Sequence, residues 1–127
     1  MNRLIILLSL ICSFNVYGQV WEHVSQSPDS DFYIDSSSVN RNGSKVTFSQ
    51  LTDYQEGYDY NNEKLFSIKQ SRIIDCDKNS FRTIGMIGYS KINGEGNILV
   101  VNPYGSNYWI DINSNSLLDA MKNKFCQ

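Results

Sequence analysis

The sequence predicts an α+β domain: a sheet of five or six antiparallel strands with one C-terminal amphipathic helix packed on it. Three observations carry that reading. From residue 20 to residue 112, β-branched and aromatic runs alternate with clusters of Asn, Gly, Ser and Asp. After Asn113-Ser114-Asn115-Ser116 the period changes, and Leu117, Leu118, Met121 and Phe125 fall on one helical face. Beyond the first 18 residues only two cysteines remain, Cys76 at the end of a strand segment and Cys126 at the end of the helix. The length, 127 residues, fits one domain, with no internal repeat.

Residues 1–18 are set apart. One charge, Arg3, precedes the apolar run Leu4 to Ile11, and Val16 and Gly18 follow. This is the layout of a secretory signal peptide cleaved between Gly18 and Gln19. The run is shorter than the ~20 apolar residues a bilayer span needs. Cys12 follows Ile11, which is bulkier than the small residue a lipid-attachment site prefers. The expected mature domain, 19–127, has 109 residues and a net charge of −3. Two cysteines in an exported domain read as one disulfide, Cys76–Cys126, closing a loop of 50 residues. The other readings are free thiols or a redox pair, and the absence of C-x-x-C spacing argues against the latter.

The elements follow in order. Val20 to Val24 is a short strand, and Ser27-Pro28-Asp29-Ser30 is a turn. Asp31 to Asp35 is a second strand; Ser36 to Val39 reads as a helical turn or loop. Asn42-Gly43 centres a hairpin turn. Lys45 to Gln55 is a long strand whose imperfect alternation implies a bulge or cover on both faces. Gly57 to Glu63 reads as an exposed loop. Leu65 to Asp77 and Phe81 to Lys91 are long strands joined by a tight turn, with Cys76 expected on the face of Phe66 and Ile68. Ile98 to Val101 and Tyr108 to Ile112 are the last strands. The helix has Ser114 or Ser116 as N-cap, and Cys126 would staple it to the sheet.

The composition is that of a globular chain, 41% hydrophobic and 19% charged. A net charge of −2 argues against a nucleic-acid binder or a polybasic membrane-surface module. His23 is the only histidine, which excludes multi-histidine metal sites, and it reads as a surface or strand-edge side chain. Asp75 and Asp77 share a strand face, but no calcium-loop spacing surrounds them. No phosphate-loop, dinucleotide or nucleophile-elbow motif is present, and no catalytic residue, metal site or cofactor is expected. The expected mature chain holds fourteen aromatics in 109 residues. Trp21, Tyr33 and Trp109 are expected in the core. Tyr54, Tyr58, Tyr60, Tyr104 and Tyr108 lie in or beside expected loops and are the candidate recognition residues, because exposed tyrosines supply rigid amphipathic contact area.

Trp21-Glu22-His23-Val24, Phe32-Tyr33-Ile34-Asp35 with Ser38 and Arg41, Asp53-Tyr54, Asp75-Cys76-Asp77, Tyr89-Ser90, and Trp109 ahead of a helix ending in Cys126 form an ordered series. In that order and spacing the chain resembles the surface-adhesin protein E-like family of small exported Gram-negative proteins. The resemblance implies a six-stranded antiparallel sheet with the helix tethered across it by the disulfide. It also implies adhesin-like binding of a protein ligand, host matrix or serum protein, at the cell surface. Fold transfers more safely than function. The alternative is a periplasmic binding or inhibitor module acting on an envelope component or enzyme; an undetected hydrolase ranks third. A homodimer is compatible with an open sheet, whose edge strand must be covered or blunted.

Overall fold

The computed structural model describes residues 19–127. The expected signal peptide, with Cys12, lies outside the described residues. Strands β1 (Trp21–Gln26), β2 (Ser30–Asn42), β3 (Lys45–Tyr60), β4 (Glu63–Asp75), β5 (Ser80–Tyr89) and β6 (Ile98–Asn102) form one antiparallel sheet in sequence order. A two-residue β7 (Ile110–Asp111) pairs with the start of β5, so β5 carries β6 along one half and β7 along the other. The helix α1 (Leu117–Phe125) closes the chain.

Turn chemistry explains the meander. Gly43 (φ 63°) and Ser44 form the two-residue loop between the paired Asn42 and Lys45, one position later than Asn42-Gly43. Asn61 (φ 47°) and Asn62 (φ 64°) form the next tight turn, between paired Tyr60 and Glu63. Asparagine tolerates the left-handed conformation at both central positions, as a type I′ hairpin requires. The segment expected as a loop, Gly57 to Glu63, is therefore the end of a hairpin.

Ser36 to Val39, expected as a helical turn or loop, is instead a bulge inside β2. Pairing resumes at Asn40↔Thr47 after Asp35↔Ser49. Side chains replace the missing ladder bonds. Buried Asp35 accepts from the Ser37 backbone N–H (3.0 Å), and Ser38 Oγ accepts the N–H of Ser49 (2.8 Å). The bulge expected in β3 occurs at residues 54–57, between Asp53↔Ser67 and Tyr58↔Leu65. Gln50, Leu51, Thr52 and Asp53 are all buried in succession, so β3 is covered on both faces at its centre.

The covers differ. On one face α1 lays Leu118 and Met121 over Ile34, Phe48, Ile74 and Ile112. Ser116 caps the helix by accepting the N–H of Asp119 (3.1 Å), and Asp119 and the lysines Lys122 and Lys124 match the helix dipole. The Cys76–Cys126 disulfide, with Cα atoms 5.7 Å apart, ties the helix end to the β4–β5 turn, beside Ile74 in the same core. On the reverse face a 3-10 turn (Ile92–Gly94) covers Leu51. It is held by Asp53 Oδ1, which accepts the Asn93 N–H (2.9 Å), and by Ser67 Oγ, which donates to the Lys91 carbonyl (2.6 Å). Asp75 and Asp77 do not share a strand face. β4 ends at Asp75, whose carboxylate accepts the N–H groups of Asp77 (3.1 Å) and Lys78 (3.2 Å) and so builds the turn.

Candidate recognition surfaces

The five candidate tyrosines fall into two groups that the fold keeps apart. Tyr54, Tyr58 and Tyr60 follow the β3–β4 hairpin, with the Tyr54 and Tyr58 rings 6.2 Å apart. Tyr54 and Tyr60 are half-buried; Tyr58 is exposed. Tyr104 and Tyr108 project from the β6–β7 connection, 86% and 80% exposed. β4 and β5 separate the groups.

The second group belongs to a larger apolar margin. Ile98 and Val101 on β6, and Trp109 and Ile110 next to Tyr108, are also exposed. Trp109, expected in the core, is 42% exposed, and Trp21 and Tyr33 are only half-buried. Trp109 flanks β7 on the face opposite the helix, next to Lys45, Asp75 and Ser80, and its ring lies against the Arg82 guanidinium at 5.4 Å. Sequence alternation did not distinguish Ile98 and Val101 from core residues. The signal was their place on β6, the last strand long enough to form a sheet edge.

The margin is locked in shape. β5 carries a bulge at Ile84, between Arg72↔Thr83 and Ser71↔Gly85. The Thr83 carbonyl is thereby free to accept the Ser106 N–H (2.8 Å). Gly105 (φ 59°) sits so close that an added Cβ would lie 2.2 Å from that carbonyl oxygen, so only glycine fits. Asn102 Oδ1 accepts the N–H groups of Tyr104 (3.2 Å) and Gly105 (3.0 Å), and Ser106 Oγ accepts that of Tyr108 (3.1 Å).

Tyr54 belongs to a different feature. Beyond the start of α1, the helix-bearing face of the sheet opens into a cleft of about 470 Å³. Its floor is Phe32, Gln50, Thr52, Gln70 and Arg72, and its walls include Tyr54, Asp29 and the first turn of α1. Burial pushes the Tyr54 phenol above its ordinary pKa, with Tyr58 and Asp29 adding to the rise and Arg72 opposing it. Burial also lowers the Arg72 guanidinium, with Tyr54 opposing. Sequence reasoning missed this cleft. Gln50, Thr52, Gln70 and Arg72 share strand parity with Phe48 and Ile74, and polar residues at core parity were the available signal.

On the reverse face, His23 Nε2 lies 3.0 Å from Asp31 Oδ1, and its ring meets Tyr33 edge-on at 5.2 Å. The exposed His23 thus has the surface placement expected of it. Asp31 is cross-strand from Asp53. Burial raises the Asp53 carboxyl above its usual range; the Asn93 N–H opposes this and the Asp31 charge adds to it. Burial, then Asp53 and Asp31, raise the Tyr33 phenol. Among the described residues, no group of three or more His, Cys, Asp or Glu is placed to hold a metal ion. Nor is any helix there long and apolar enough to cross a membrane.

Comparison with known proteins places this architecture. Solved structures of Haemophilus influenzae protein E are similar to it. Crystal form II superposes with a TM-score of 0.65 at 16% identity, over 84% of this chain and 86% of that one. The structure from non-typeable Haemophilus influenzae superposes with a TM-score of 0.60 at 16% identity, over 86% and 85%. At that identity the likeness speaks for the fold. None of the curated proteins matches the chain. The sequence model of surface-adhesin protein E matches residues 21–127, all but two of the described positions, and includes both half-cystines and the helix they tether. The chain therefore belongs to the surface-adhesin protein E family.

Proposed function

We propose that this protein is an exported, non-catalytic recognition module that binds a protein ligand, host matrix or serum protein, through the β5–β6 margin. The supporting observation is that the exposed Ile98, Val101, Tyr104, Tyr108, Trp109 and Ile110 all lie on β6, on β7 or on their connection, along one edge of the sheet. Exposed apolar groups scattered singly need no explanation; six along one edge, three of them aromatic, have the composition of an interface. The Gly105 and Asn102 contacts fix the backbone that carries Tyr104, so little backbone freedom is lost there on association. Family membership supports the adhesin-like reading.

The first test is protease shaving of intact cells with a periplasmic marker as control. Release of peptides from residues 19–127 with the marker intact supports a surface protein. Protection until the outer membrane is opened overturns that reading and favours a periplasmic partner. On the purified protein, a Tyr104→Ser, Tyr108→Ser variant loses matrix-protein binding and keeps its melting temperature. Undiminished binding would remove the margin from consideration.

A further inference from the structure

The cleft beside the first turn of α1 holds polar groups that the protein's own packing leaves unused. Arg72 Nη2 donates to Gln70 Oε1 (3.1 Å), and the guanidinium lies 5.4 Å from the Phe81 ring centroid. Its Nε is buried and has no hydrogen-bond partner. Among the described residues no carboxylate pairs with it; the lysine or arginine ion pair there is Lys64–Asp59. This half-buried cation, with its Nε buried and unpartnered and no counter-ion, keeps hydrogen-bonding capacity that the fold does not use.

Gln50 is an independent sign of the same kind. It is 2% exposed, and its amide Nε2 makes one long contact to Thr52 Oγ1 (3.4 Å). Its Oε1 has no partner. Exchanging amide oxygen and nitrogen still leaves one polar atom unmatched. α1 supplies the third element. Ser116 Oγ satisfies the Asp119 N–H, while the N–H groups of Leu117 and Leu118 have no intrahelical acceptor in a helix start. Leu117 and Leu118 line the cleft, at the positive end of the helix dipole.

We propose that this cleft binds a carboxylate carried by a peptide or protein, held between Arg72 and the first turn of α1. Gln50, whose buried amide is unmatched, is the neutral polar group on the floor beside that carboxylate. The guanidinium fork matches a planar carboxylate. Asp29 lines the same cleft, its Oδ1 accepting the hydroxyls of Ser27 (2.9 Å) and Ser30 (3.4 Å). With one cation and one anion present, the site favours a singly charged ligand over phosphate. The volume, about 470 Å³, is in the range of small-ligand sites. This assignment is independent of the aromatic margin.

The test uses the oxidised, isotope-labelled protein and three probes. They are N-acetyl-Gly-Leu with a free C-terminus, the same peptide amidated, and amidated N-acetyl-Asp-Leu, whose carboxylate is on a side chain. A carboxylate probe is expected to shift the backbone N–H signals of Leu117 and Leu118 and the Arg72 Nε–H, while the amidated Gly-Leu peptide does not. Which acid binds tells a chain terminus from an acidic side chain. Arg72→Gln weakens binding about tenfold or more, and inorganic phosphate binds less well than the acid probe. Equal binding of the amidated peptide, shifts confined to other residues, or no saturable shift overturns the assignment. Should Arg72→Gln fail to fold, the acid-against-amide comparison on the unaltered protein decides alone.

Discussion

The helix-bearing face of the sheet has two halves built from the same strands. Under α1, β2, β3 and β4 contribute Ile34, Phe48 and Ile74. Further along the same face they contribute Phe32, Gln50, Thr52, Gln70 and Arg72. The boundary is the start of the helix. A nine-residue helix is about 14 Å long, whereas the sixteen residues of β3 run on the order of 50 Å. The helix can dry only part of the face. The strands are apolar where it lies and polar where it does not reach. The covered half supplies stability, and the uncovered half keeps groups that stability alone does not call for.

The contrast can be broken or sharpened by substitution. The largest effect is expected under the helix. Phe48→Ala should cost about 3–5 kcal/mol and Met121→Ala about 2–5, measured by denaturant unfolding. A cost below about 0.5 kcal/mol would mark a surface site and break the contrast. Opening the disulfide comes next. Its 50-residue separation is worth roughly 4 kcal/mol in the chain-entropy model. An unchanged melting temperature after reduction would mean that apolar packing alone docks the helix.

In the open half the sign should reverse. Gln50→Leu removes a buried acceptor without a partner, and a gain of about 1 kcal/mol is expected. A loss comparable to that of Phe48→Ala would show that Gln50 is structural. A smaller effect is expected on the reverse face. The folded-state pKa of Asp53 is raised by burial, so its contribution is full below the unfolded carboxylate pKa and is lost as pH rises through the raised value. Asp53→Asn should therefore melt higher than the parent at neutral pH, with the gap closing on acidification through that window. A gap independent of pH would assign the effect to packing instead. The smallest effect is at the margin: Tyr104→Ala should change stability by under about 0.5 kcal/mol, because the residue is 86% exposed.

Much of the fold was legible because its signals are local. The helix could be read from Leu117, Leu118, Met121 and Phe125, and its cap from Ser116. Four of the misreadings came from single residues acting at short range, through side chain or backbone conformation, in ways that composition does not show. Asp35 and Ser38 turn a Ser-rich stretch into a strand bulge. Asn61 and Asn62 make a tight turn out of what resembles a polar loop. Gly43 moves the first hairpin centre by one residue. Asp75 closes its own turn rather than pairing with Asp77. The tyrosines were recognisable as candidates, but their separation into a hairpin group and an edge group was not, since it depends on β4 and β5 lying between them.

By itself the sequence determined the alternation of strands and turns, the single terminal helix and the pairing of Cys76 with Cys126. Each follows from periodicity, capping or cysteine count, which act over one element or by elimination. The tertiary structure alone decided where the helix stops covering the sheet. Strand parity is identical for Phe48 and Gln50, and for Ile74 and Arg72. Only the distance from α1 makes one of each pair a core residue and the other the floor of a cleft. The same holds for Trp109, whose ring is apolar enough for a core but sits on the face that the helix does not cover.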